Sequence, residues 1–264
     1  MKKMILSSAF ILGLVGGDIF ASGGALVASA DDGGAYTTKA GVTFTPNTNP
    51  TNPVNPDNPN PNKPTNPVKP DGKDPNAGTN GPLSIDYVSD FDFGKQMITS
   101  SDQTYYAEAQ KYKDDTKPTT LYSQVSDNRG NGAGWQLGVK QDSQLNDGKD
   151  DLKGAAISIK DLNVNGLSGS DITAPTSGSD IILVPGGGDQ TVMAAAKDAG
   201  QGTWVSRMGS TANLLSEKGT ATDGTDRTVD KSVSLFVPGV SNKSIANQYS
   251  TTLTWTLKDT PTNG

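Results

Sequence analysis

From Leu83 onward the apolar residues recur at every second position, and that spacing restricts the chain to strands. Leu83, Ile85, Tyr87, Phe91 and Phe93 alternate with Ser84, Asp86, Asp90 and Asp92, with Val88 as the exception. Ala155, Ile157 and Ile159 alternate with Ser158 and Lys160, after which the phase slips to Leu162 and Val164, as a bulge would make it. Val233, Leu235 and Val237 form another set, and Tyr249, Thr251, Leu253, Trp255 and Leu257 a last one. Successive side chains of an extended chain point to opposite faces, so each set reads as a half-buried strand. Gly- and Asn-rich connections such as 127–134 and 186–188 separate them. One short helix is predicted near Gln190 to Asp198, where Met193 and Ala194 to Ala196 sit together and Gly200 can end it. The expected fold is all-β: a β-sandwich or partly open barrel with long loops and at most one or two short helices.

Residues 83–264 are expected to form this β domain, and what precedes it divides in two. Residues 1–30 read as a signal peptide. Lys2 and Lys3 precede a short apolar run from Met4 to Val15, and small residues end at Ala28-Ser29-Ala30 before Asp31. Cleavage is expected between Ala30 and Asp31. The run is too short to span a bilayer comfortably, so no transmembrane anchor is expected in the mature chain. Residues 31–82 read as a disordered proline-rich linker. The stretch 46–82 holds 11 of the 16 prolines, many spaced by three, with Asn, Thr, Lys and Asp between them. Such a composition offers little to bury and suits a semi-rigid spacer, on the order of 110 Å if fully extended. With no cysteine, sorting pattern or hydrophobic tail in the sequence, no covalent tether is expected.

Composition excludes several chemistries. The chain has no histidine and no cysteine, which removes Ser-His-Asp and Cys-His nucleophiles and the usual zinc sites. A carboxylate pair could still hydrolyse glycosides, but the only glutamates of the domain are Glu108 and Glu217. No aspartate stands in an apolar setting that the sequence marks for acid duty. Neither catalytic residues nor a cofactor nor a metal are expected, and acidic groups such as Asp147, Asp150 and Asp151 read as solvated. With a net charge of −6 and no basic stripe, nucleic acid is not an expected partner.

Two of the three tryptophans fall in the same short pattern, Trp135-Gln136-Leu137 and Trp255-Thr256-Leu257. With Gly81-Pro82-Leu83-Ser84-Ile85-Asp86-Tyr87-Val88, Phe91-Asp92-Phe93-Gly94 and Asp102-Gln103-Thr104-Tyr105, these residues resemble the WxL domain of surface proteins of low-GC Gram-positive bacteria. The resemblance covers the whole expected domain. It implies non-covalent attachment to the cell wall, with peptidoglycan as the expected partner and other exported surface proteins of the same gene cluster as further ones. It also places the attachment motifs at Trp135, Leu137, Trp255 and Leu257. An alternative is a structural subunit that docks onto another exported protein, with wall attachment indirect.

Whether the motifs face inward is a separate question. Alternation puts indole and leucine on one face, with Gln136, Gly138 and Lys140, or a row of threonines, on the other. Burial of the Trp-Leu face is the expected arrangement, and wall contact would then come from neighbouring polar faces or loops. Outward rings stacked on sugars are the alternative. Trp204, Tyr105 and Tyr106 are expected to pack.

Overall fold

The computed structural model describes residues 35–167, 170–217 and 226–259. Residues 1–43 and 44–264 are two compact units, and residues 35–43 of the first are exposed and without regular structure. The expected leader and its cleavage position at Ala30–Asp31 lie outside the described residues.

The second unit is all-β, with fifteen strands among the described residues, all paired antiparallel. A two-stranded ribbon joins β1 (Pro67–Val68) to β4 (Lys111–Tyr112). One sheet has β2 (Leu83–Val88) at its edge, then β5 (Tyr122–Asp127), β12 (Gly202–Met208) and β8 (Leu162–Gly166). A second runs from β15 (Leu253–Lys258) through β6 (Trp135–Gln141) and β11 (Gln190–Ala195) to β9 (Thr176–Ser177). In the third, β14 (Arg227–Val237) pairs with β3 (Gln103–Glu108), β7 (Ala156–Ile159) and β13 (Leu214–Glu217), and β7 carries β10 (Ile181–Ile182). The sheets do not close into a barrel. Their inner faces meet in one apolar core, to which Val125 and Met208, Leu137 and Met193, and Ile157 and Val233 each bring side chains.

Two local expectations change. Residues 190–195 are strand rather than helix. Their alanines favour a helix in isolation, but Met193 and Ala195 register against Leu137 and Trp135 of β6, and β9 holds the other edge. Packing and ladder bonds override local propensity here. The phase slip after Ile159 is a corner rather than a bulge: β7 ends, Asp161 turns the chain at φ 53°, and β8 begins in a different sheet. Aspartate is one of the few side chains that tolerate that left-handed conformation.

The proline-rich stretch is irregular, as its composition requires, yet residues 52–68 lie on the outer face of the β2–β5–β12–β8 sheet. Val54 is 0% exposed and packs with Tyr87, Tyr122 and Val205. Its main-chain N–H donates to Gln124 Oε1 at 2.8 Å, while Gln124 Nε2 donates to Asn52 O at 3.1 Å and to Asp86 Oδ2 at 2.9 Å. Asn165 donates to Pro56 O at 3.0 Å, and Arg207 pairs with Asp57 at 2.8 Å. Along these residues the stretch lies as a strap on the sheet. The physical reason is that polyproline-like chain leaves its carbonyls unpaired, and the polar sheet face supplies donors for them. Ser84 and Asp86, read as the solvated side of β2, are buried beneath it.

Two carboxyls sit in settings that sequence spacing did not reveal. Burial raises the Asp86 carboxyl, against hydrogen bonds from Ser126, Ser84 and Gln124 that lower it. Burial pushes Asp230 up to about 6, against the N–H groups of Leu121 and Ser232, which donate to it at 2.9 Å each. A carboxyl raised in the folded state stabilises the fold below its unfolded pKa, and that contribution is lost as pH rises through the folded value. Unfolding free energy measured in urea should therefore fall between pH 4 and pH 7. The wild-type minus Asp230→Asn difference should change by about 3 kcal/mol across that interval. A flat difference would show that Asp230 does not titrate there.

Candidate functional site

The two Trp-x-Leu motifs lie on adjacent strands. In the β6–β15 pair Leu137 stands opposite Leu257, Val139 opposite Trp255 and Gln141 opposite Leu253. Directly opposed residues of an antiparallel pair point to the same face. Trp135, Leu137 and Val139 therefore form one inward surface with Leu253, Trp255 and Leu257, and the motifs meet leucine to leucine.

Their burial differs with strand position. Trp135 and Leu137 on β6, flanked on both sides, are 0% exposed. Trp135 Nε1 donates to Gly200 O at 3.0 Å. Gly200 lies so close to the indole that a Cβ there would be 2.9 Å from Nε1 and 2.4 Å from Ala195 Cβ, and its φ of +70° suits glycine. On the edge strand β15, Trp255 and Leu257 are half-buried and pack against the same core. Trp204 is buried as expected, its Nε1 donating to Gln201 O at 2.9 Å.

The reverse face of the same strands is polar. Thr256 stands opposite Gly138, Thr254 opposite Lys140 and Lys258 opposite Gln136. Thr254 Oγ1 donates to Asp142 at 2.8 Å, Lys258 Nζ to Asp189 at 2.9 Å, and Gln136 is bonded to Thr191. Hydroxyls, amides and balanced charges thus cover a sheet face that the inward motifs hold flat.

Beside β15 a cleft of about 1190 Å³ opens into the core. Phe91, Phe93, Tyr105, Tyr249 and Trp255 line it, and Leu145, Leu152, Ile157 and Leu235 lie at its floor. Neither the cleft nor the strap was anticipated from sequence. The residues 91–93 and 249–255 that wall the cleft read only as strands, and its shape depends on β2 ending at Val88.

Asp230, the most raised carboxyl, is 0% exposed and has both oxygens engaged by main-chain N–H groups. Among the described residues no three carboxylates gather as a metal site would require, and no helix is long and apolar enough to cross a membrane.

The all-β module thus presents a polar sheet face and, beside β15, a cleft lined by both aromatic and polar side chains. The family model described as "WxL domain surface cell wall-binding" matches residues 31–261, and the chain belongs to that family. It is accordingly a surface protein whose domain binds the cell wall, in a wall-binding rather than an enzymatic family. No curated protein and no solved structure matches the chain.

Proposed function

We propose that the protein is exported and attaches non-covalently to peptidoglycan through the polar face of the β15–β6–β11 sheet. The observation that supports this reading is the common inward orientation of both Trp-x-Leu motifs, with Leu137 opposite Leu257. The motifs support the wall contact by fixing β6 against β15. The groups left facing outward are Thr254, Thr256, Gln136, Lys140 and Lys258. Hydroxyls and amides suit the hydroxyl and acetamido groups of a glycan, and the lysines suit carboxylates of the stem peptides.

Sedimentation with purified, protein-stripped peptidoglycan tests the reading. The wild-type chain should pellet with the wall. Lys140→Glu combined with Lys258→Glu should weaken binding about tenfold, a loss of about 1.4 kcal/mol, at unchanged near-UV circular dichroism. Failure of the wild-type protein to pellet would sink direct attachment and leave the indirect one, docking onto another exported protein.

A further inference from the structure

We infer that the outer face of the β2–β5–β12–β8 sheet, with the β1–β4 ribbon beside it, is a recognition site for the segment Pro-Thr-Asn-Pro-Val-x-Pro-Asp. Two copies of the chain pair there, each laying its strap on the other's sheet. Three observations lead to this, and none of them involves the β15–β6–β11 sheet.

The first is a repeat inside the strap. Residues 50–57 read Pro-Thr-Asn-Pro-Val-Asn-Pro-Asp and residues 64–71 read Pro-Thr-Asn-Pro-Val-Lys-Pro-Asp, identical but for Asn55 against Lys69. A spacer needs only a composition. Seven matched positions in eight define a sequence, which is what a recognition site reads.

The second is that the domain meets both copies with the same device. Each valine is buried, Val54 at 0% and Val68 at 8% exposure, and its main chain is bonded to a buried glutamine. Gln124 Oε1 accepts from Val54 N–H at 2.8 Å, and Gln110 Nε2 donates to Val68 O at 2.8 Å. The asparagine carbonyls are held too, Asn52 O by Gln124 Nε2 at 3.1 Å and Asn66 O by Lys113 N–H at 2.9 Å. Both amides are aimed from behind. Gln124 Nε2 also donates to Asp86 Oδ2 at 2.9 Å, and the Tyr87 and Ser89 hydroxyls donate to Gln110 Oε1 at 2.6 and 2.8 Å. Uncovered, these glutamines would lose bonds that water alone would have to replace. The face therefore calls for this main chain, with a branched aliphatic side chain against Tyr87, Tyr122 and Val205.

The third is how the strap is attached. Residues 72–78, which lead from it to β2, belong to no strand and are exposed except for the half-buried Pro75. A turn there lifts the strap, and β1 with it, while the three larger sheets stay paired. On a partner the strap would make the contacts it makes at home, and such exchange is a low-cost route to dimers. Its prolines hold φ before docking, so the lifted strap stays near its bound shape. Every copy carries both the site and its ligand, which makes a second copy the occupant. Molecules of a wall-binding family gathered on one wall present the two to each other at high effective concentration.

The test uses cross-linking between full-length chains. The chain has no cysteine, so introduced ones can join only each other. Asp57 of the strap pairs with Arg207 of β12 at 2.8 Å. Asp57→Cys and Arg207→Cys variants, mixed, concentrated and then oxidised, should give a disulfide-linked mixed dimer. Its yield should exceed by about tenfold that from Asp57→Cys mixed with Lys160→Cys, an exposed position at the end of β7. Where Arg207→Cys does not fold, Asn165→Cys on β8 takes its place, since Asn165 Nδ2 donates to Asp57 O at 3.3 Å. A synthetic peptide of residues 50–72 should suppress the mixed dimer. The same peptide with both valines replaced by serine should need a concentration about tenfold higher. The proposal is overturned if the strap–sheet pair links no more than the control, or if the two peptides suppress equally well. Binding of the valine peptide without any mixed dimer would also overturn it, and would give the face to a motif carried by a foreign chain.

Discussion

Trp135→Ala should cost about 3–5 kcal/mol of unfolding free energy and abolish wall binding by melting the module. The indole is sealed between flanking strands, so its removal leaves a large void. It also strips the Gly200 carbonyl of its donor in a site that water does not reach. Trp255→Ala, on an edge strand and half-exposed, should cost about 1–2 kcal/mol and leave the sheet intact. Urea unfolding followed by near-UV circular dichroism reads both. Loss of wall binding by Trp135→Ala with unchanged stability would mean that the indole touches the ligand, contrary to its position in the core.

The second large effect falls on the proline-rich stretch. Val54→Asp should destabilise the domain by about 3 kcal/mol or more. It places a carboxylate among Tyr87, Tyr122 and Val205 at a position with no exposed surface. A free spacer would tolerate the same substitution silently, so one unfolding curve separates the two arrangements. Ordering a strap costs chain entropy, and the prolines reduce that cost because their φ is fixed before docking. Deletion of residues 35–81 should therefore lower stability in the same sense, by uncovering Tyr122, Val205 and the Asp86–Gln124–Ser126 network.

The strands of the domain are written in its period-two pattern because their inner faces pack on one shared core. Leu235 and Val237, or Leu137 and Val139, need no distant knowledge to be placed on an inward face. The strap is hardly written at all, since most of its contacts use main-chain groups of Asn52, Val54, Pro56 and Asp57, which every sequence possesses. Its one side-chain signal is that Val54 and Val68, the only branched aliphatic residues between 46 and 76, are both buried. The corner at Asp161 was ambiguous for another reason: a phase slip looks the same whether a strand bulges or leaves its sheet. The cleft depends on where β2 stops and how β3 and β15 splay, which are properties of the assembled sheets and not of any segment.

Leu137 and Leu257 face one another across β6 and β15 although most of the domain's sequence lies between them. Such a pairing gives the module a high contact order, so closing the chain must precede most of the reward for doing so. The second neighbour of β6, β15, comes latest in sequence among the described strands. The β6–β15 pairing therefore forms only once residues 253–258 are in place.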